Sequence, residues 1–130
     1  MLNILSGQET ANIKSLPVKD GEVLDQGEWV VFDNGVVKKQ EGQWDPSQGL
    51  CVPVYRGNGR FYDTRYLNRV DCVTAKSGVL ETDKVAAVAI VAGDALTVKD
   101  GQVDKSADKS DVIGYAIKDM ANGVVTFMFA

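Results

Sequence analysis

The sequence predicts an all-β fold, with two related hairpin-rich halves forming a small β-barrel/β-sandwich-like domain behind an extended N-terminal arm. Three observations carry this. Asp or Asn followed by Gly occurs at Asp20-Gly21, Asn34-Gly35, Asn58-Gly59, Asp100-Gly101 and Asn122-Gly123. Type I′ turns need positive φ at both central residues, which these dipeptides tolerate best, so each one flanked by β-formers signals a hairpin. Next, GEWVVFDNGVVKK (Gly27 to Lys39) returns without a gap as GDALTVKDGQVDK (Gly93 to Lys105), and GLCVPVYRGNGRFYD (Gly49 to Asp63) is echoed more weakly by GYAIKDMANGVVTFM (Gly114 to Met128). Finally, no stretch of about ten residues or more holds a helical period.

Taken in order, residues 1–19 (MLNILSGQETANIKSLPVK) show no sustained period and carry Gly7 and Pro17. They read as an arm, and residues 20–130 as a single β-rich domain with halves of about 20–83 and 84–130. The apolar residues of the arm, Leu2, Ile4, Leu5, Ile13, Leu16 and Val18, suggest a docking surface, either on a partner or on the chain's own domain. A two-residue turn at Asn34-Gly35 sets Phe32 opposite Val37, and the second copy sets Val98 opposite Val103, so both pairs are expected in the core. On the other face the first copy places Trp29 and Val31 where the second has Ala95 and Thr97. That first-half face needs a cover, and three are open: the other half, the arm or another subunit.

Gln40 to Gln48 is a polar loop carrying Trp44 and Pro46. Gly49 to Tyr55 then reads as a strand whose Pro53, lacking an N–H, belongs at an edge or a bulge. Arg60 to Tyr66 is its expected partner across Asn58-Gly59, with Asp63 to Arg69 able to form a short turn. Val70 to Thr74 follows as a strand, then a turn at Lys76-Ser77-Gly78 and a small-residue apolar strand from Lys84 to Ala92. Ser106 to Ser110 is a charged loop. Ile113 to Ile117 and Val124 to Phe129 close the fold as a hairpin in which Gly114 and Ala116 make room for Phe127 and Phe129.

Composition bounds the function. The 130 residues are 45% hydrophobic and 25% charged, which is the globular average. A net charge of -4 and a pI of about 4.7 weigh against nucleic-acid binding, whose usual footprint is basic. The start MLNILSGQET lacks a basic and then apolar leader, and the longest apolar run, Val85 to Ala92, is far short of a membrane span. A soluble, unexported chain with no membrane partner is expected. Cys51 and Cys72 have no metal-type spacing and read as two half-buried free thiols in a reducing compartment, with their pairing left open.

Chemistry has little to work with. There is no histidine, so the commonest general base and transition-metal ligand are both missing. No carboxylate pair stands out among the 18 acidic residues. Gly57-Asn58-Gly59 lacks the third glycine and following helix of a phosphate cradle. Asp100, Asp104, Asp108 and Asp111 lack the spacing of a calcium loop. A non-enzymatic protein without cofactor or metal is expected. The unusual cluster is YRGNGRFYDTRYLNR, where all four arginines, Arg56, Arg60, Arg65 and Arg69, alternate with Tyr55, Phe61, Tyr62 and Tyr66. Arginine and aromatic residues are enriched at protein interfaces and also line single-stranded nucleic-acid grooves. The acidity of the rest of the chain favours a protein contact, while an ordinary hairpin with charged outer positions stays open.

The run VAGDALTVKDGQVDKSADKSDVIGYAIKDMANGVVTFMF has a cadence of Gly-Asp, apolar strand, Lys-Asp-Gly turn, polar loop, Ile-Gly-Tyr-Ala and terminal apolar hairpin. It resembles the C-terminal part of bacteriophage capsid decoration proteins, also called cement or head-stabilising proteins. The resemblance covers roughly Val85 to Ala130 and rests on permissive turn-and-strand motifs. It implies a non-enzymatic virion protein, made in the host cytoplasm, that binds the outer capsid surface and bridges neighbouring major capsid protein subunits. It further implies a homo-oligomer, commonly a trimer, with an N-terminal arm ordering on the capsid. The candidate contact residues are then Leu2, Ile4, Leu5, Ile13 and Leu16 of the arm, the Trp29 and Val31 face, and Arg56, Arg60, Tyr62, Arg65 and Arg69. The resemblance does not extend to the Arg/aromatic hairpin or the QEGQWDPSQ loop, whose roles stay open. Two alternatives remain: a small β-barrel binding single-stranded nucleic acid through residues 55–69, and a tail or head-completion protein.

Overall fold

The computed structural model describes residues 1–6, 13–59, 69–74 and 78–129, with the backbone alone for 56–59. Its strands are β1 (Leu2–Ser6), β2 (Ile13–Pro17), β3 (Trp29–Asp33), β4 (Val36–Lys39), β5 (Leu50–Gly59), β6 (Arg69–Val73), β7 (Val79–Thr82), β8 (Ala95–Lys99), β9 (Gln102–Lys105), β10 (Gly114–Ala116) and β11 (Val125–Phe129). They form two antiparallel sheets in a sandwich-like arrangement, neither closed into a barrel. One has the order β1-β7-β11-β10-β8-β9 and the other β2-β6-β5-β3-β4.

With β1 set aside, the two sheets share one topology: β2, β6, β5, β3 and β4 correspond in order to β7, β11, β10, β8 and β9. The correspondence reaches individual bonds. The Gly27 N–H donates to the Val54 carbonyl and the Gly93 N–H to the Ala116 carbonyl, both at 2.7 Å. The Val54 and Ala116 N–H groups answer to the Glu28 and Asp94 carbonyls at 2.8 and 3.0 Å. A single parallel bridge follows in each unit, Val18 with Val37 and Val85 with Val103. The repeat therefore opens at β2 and β7, with its boundary between residues 73 and 79 instead of at 83/84.

Three of the expected turns form as their chemistry requires. Asn34, Asp100 and Asn122 hold φ of 52°, 52° and 54°, each followed by a glycine at positive φ. Phe32 faces Val37 and Val98 faces Val103, as expected. Val37, Val98 and Val103 are fully buried, but Phe32 is 37% exposed, because it lies at the end of its unit's core beside exposed Leu50.

Four expectations are corrected. The described parts of the expected arm are sheet strands: β1 pairs with β7 and β2 with β6, each at the edge of a sheet, so of the two docking partners left open they take the chain's own domain. Asn58-Gly59 is no turn, because β5 runs through it and pairs Asn58 with Val70 and Gly59 with Arg69. Pro53 lies in a central strand, where its missing N–H is tolerated because the β5–β6 ladder begins one residue later, at Val54 with Cys72. Lys84 to Ala92 forms no strand; it is an irregular cover that inserts Ile90 into the core. The expected strand over Arg60 to Tyr66 and the turns at 63–69 and 76–78 fall largely outside the described residues.

Two apolar clusters result. The smaller lies within the first unit and holds Leu24, Val30, Val37, Val52, Val54, Val70 and Cys72. The larger joins the second unit's interior, including Leu80, Leu96, Val98 and Phe127, to Trp29, Val31, Cys51 and Val73 of the first. Gly114 is required here, since a Cβ would collide with the Met128 carbonyl. Cys51 and Cys72 are both buried, form no disulfide and belong to different clusters.

Candidate functional site

The face expected to need a cover has found one inside the chain. Trp29 is fully buried and Val31 nearly so, and the Trp29 ring meets Phe127 and Phe129 at centroid distances of 6.2 Å each. The cover is the second unit. Trp29 and Val31 are therefore joint residues and present no outer contact surface, which corrects their assignment as contacts. The same correction applies to Leu2, 3% exposed in the joint core. Ile4 packs against that core and Leu16 against the smaller one. Leu5 and Ile13 are at the surface, 51% and 36% exposed. Leu5 faces outward with Asn3, opposite to Leu2 and Ile4, where the register shift between Ile4 and Ser6 falls.

The Arg/aromatic cluster is described in part. Arg60, Tyr62 and Arg65 lie outside the described residues, as does the Arg56 side chain. The Arg69 guanidinium donates to the Ser15 hydroxyl at 3.0 Å and the Ser15 carbonyl at 2.7 Å, tying β6 to β2.

The polar loop 40–48 is a clasp between the units. Gln40 is fully buried; its carbonyl oxygen accepts from the Gly101 N–H at 2.9 Å while its amide donates to the Gly42 carbonyl at 2.9 Å. The Trp44 backbone N–H donates to the Val98 carbonyl, and the Trp29 backbone N–H to that of Gly101. The aspartates considered for calcium are engaged otherwise. Asp100 accepts from the Gly42 N–H at 2.7 Å, and Asp111 from Gln43 and Ser106, each at 2.7 Å. The Ser110 hydroxyl and N–H hold the Asp108 carboxyl below the usual aspartate range, and Ser47 does the same for Asp45. Among the described residues no group of three His, Cys, Asp or Glu side chains is placed to hold a metal. No described helix is long and apolar enough to cross a membrane.

A cleft of about 340 Å³ opens beside β4, lined by Lys19, Glu22, Asp33, Lys38, Lys39 and Glu41 among others. Its charges are mutually compensated, with Lys38 at 3.6 Å from Asp33 and Lys39 at 3.3 Å from Glu28.

The surface that the sequence reading missed lies on the second unit. Tyr115, Ile117 and Met128 are 37%, 45% and 45% exposed. Met128 pairs across strands with Val79 on one side and Tyr115 on the other, and Tyr115 pairs with Ala95. An uncharged row thus crosses four strands. The alternation in GYA and VTFMF, which sets Tyr115 and Met128 opposite to Ala116 and Phe127, was the available signal.

No protein-family model matches the chain, and no curated protein matches it in sequence. Among solved structures it is similar to the crystal structure of the head fiber gp8.5 N base in bacteriophage phi29, with a TM-score of 0.57 and 18% identity, over 100% of this chain and 95% of that one. At that identity the likeness establishes a shared fold.

Proposed function

We propose that the chain is a structural protein of a bacteriophage head that binds the outer surface of the assembled capsid and stabilises it by bridging major capsid protein subunits. The observation that carries this is the full-length fold likeness to the N base of a phage head fiber. The decoration-protein cadence of Val85 to Ala130 supports the same reading independently. So does the use of the polar and acidic groups: buried Gln40 and the surface carboxylates of Asp100 and Asp111 fasten loops, which suits a rigid binding block.

Among the described residues of the expected contact set, Leu5 and Ile13 lie exposed at the surface, and both belong to edge strands. Repeated attachment over a capsid lattice gives avidity to oligomers, so modest patches of this kind suffice per subunit. The trimeric state implied by the family resemblance belongs to this proposal.

The test is co-sedimentation of purified protein with heads that lack it. Saturable binding at a fixed number of copies per head is expected, weakened by Leu5→Asp with the melting temperature retained. Failure to pellet with heads or with capsid subunits overturns the proposal.

A further inference from the structure

The connection from β2 to β3 in the first unit and from β7 to β8 in the second follow one backbone plan but differ in side-chain chemistry. The Lys19 and Ala86 N–H groups donate to the Val37 and Val103 carbonyls, and the Glu28 and Asp94 N–H groups to those of Asp25 and Val91. A carboxylate answers each time, Glu28 accepting from the Asp25 N–H and Asp94 from that of Val91. Leu24 and Ile90, one residue before, are both 2% exposed. The sequences then part. Residues 19–26 read KDGEVLDQ, with four charged side chains, whereas 86–92, one residue shorter, read AAVAIVA with none. Since the fold accepts the charged version, it does not dictate the apolar one.

The apolar version forms one wall of a groove of about 670 Å³, between residues 87–91 and the β10–β11 loop at Asp119, Met120 and Gly123. Val91 is 50% exposed, and nothing lies within 4 Å of where a Cβ on Gly123 would sit. Among the described residues, the Ala87 and Ala89 N–H groups donate to no acceptor. Asp119, the one charged residue lining the groove, accepts from the Ala92 N–H at 2.9 Å and has no cation within ion-pair distance among the described residues. We infer that this groove seats an extended, apolar segment of the major capsid protein that carries a basic side chain. Each part of that chemistry answers a group in the groove. Apolar side chains meet Val88, Val91 and Met120, main-chain carbonyls meet the Ala87 and Ala89 N–H groups, and a Lys or Arg compensates Asp119. An acidic segment would set like charges together. The identity of the partner rests on the proposed capsid binding.

Co-sedimentation with heads that lack the protein tests it, using residues that the first unit already carries on this backbone. The groove variant is Val91→Asp with Ala92→Gln, and the reciprocal control is Asp25→Val with Gln26→Ala. Thermal melts verify that both fold. The groove variant should bind heads about tenfold more weakly, because docking would bury an unpaired charge, and the control should bind as the wild type does. Asp119→Asn keeps an acceptor for the Ala92 N–H but removes the charge. It should bind about threefold more weakly, with less sensitivity to salt, and it keeps the test valid if the groove variant melts early. A folded groove variant or an Asp119→Asn protein that binds as the wild type does overturns the inference and leaves capsid binding standing. Equal weakening in the reciprocal control also overturns it, since the effect would then not belong to the groove. A wild type that binds neither heads nor capsid subunits overturns capsid binding and this inference together.

Discussion

Trp29 and Phe127 meet at a centroid distance of 6.2 Å with their planes tilted by 43°, one from each unit, and this contact joins the two halves of the chain. Phe129 completes the group, lying edge-on to both rings. Truncating Trp29 opens the joint where no solvent reaches. Trp29→Ala should therefore lower unfolding stability by about 3–5 kcal/mol, the usual cost of removing a large core aromatic. Chemical denaturation measures it, and a loss below about 1 kcal/mol would contradict the packing.

Removal of residues 1–17 is predicted to destabilise the fold, not merely to weaken binding. It strips both edge strands, with Leu2 from the joint core and Leu16 from its contact with the smaller one. A truncated chain melting at the wild-type temperature would show that β1 and β2 are dispensable. The misreading of this segment has a physical cause. The register shift between Ile4 and Ser6 breaks the period-2 pattern of β1, and β2 is partly exposed along its length, so neither displays clean alternation.

Gly114→Ala should cost about 1–3 kcal/mol, since the added methyl strikes the Met128 backbone and cannot be relieved by a rotamer change. A denaturation midpoint equal to the wild type would refute this. That a small residue belongs at Gly114 was legible in the sequence, as room for Phe127 and Phe129, but the group an added methyl strikes first is the Met128 carbonyl. Legible too were the turns at Asn34, Asp100 and Asn122, where positive φ restricts the residue choice. Asn58-Gly59 misled because the same dipeptide is also compatible with a strand that continues through it. The need for a cover over Trp29 was also legible, but its identity was not, because local pattern cannot say which distant face arrives.

The native thiols should be inert. Burial, with a smaller contribution from Asp71, pushes the Cys72 thiol up to about 12, and Cys51 is fully buried. Thiolate is the reactive form. An aromatic disulfide reagent at pH 8 should find no fast-reacting thiol in the folded protein and two after denaturation. Rapid labelling of the native state would contradict the burial.

Acid should act partly through Asp45 and Asp108. Their carboxyls lie below the ordinary aspartate value because Ser47 and Ser110 donate to the ionised forms. A lowered native value means that the contribution is present above the unfolded-state value and is lost as pH falls through the native one. Asp45→Asn with Asp108→Asn should therefore flatten the acid limb of the stability profile, measured by urea midpoints from neutral pH downward. An unchanged acid limb would remove these pairs as contributors.

The most direct test of the central claim is electron cryomicroscopy of heads lacking the protein, imaged before and after its addition. The account predicts new density on the outer surface of the shell, bridging adjacent capsid subunits at repeated equivalent positions. An unchanged shell, or density confined to the tail vertex, would contradict it.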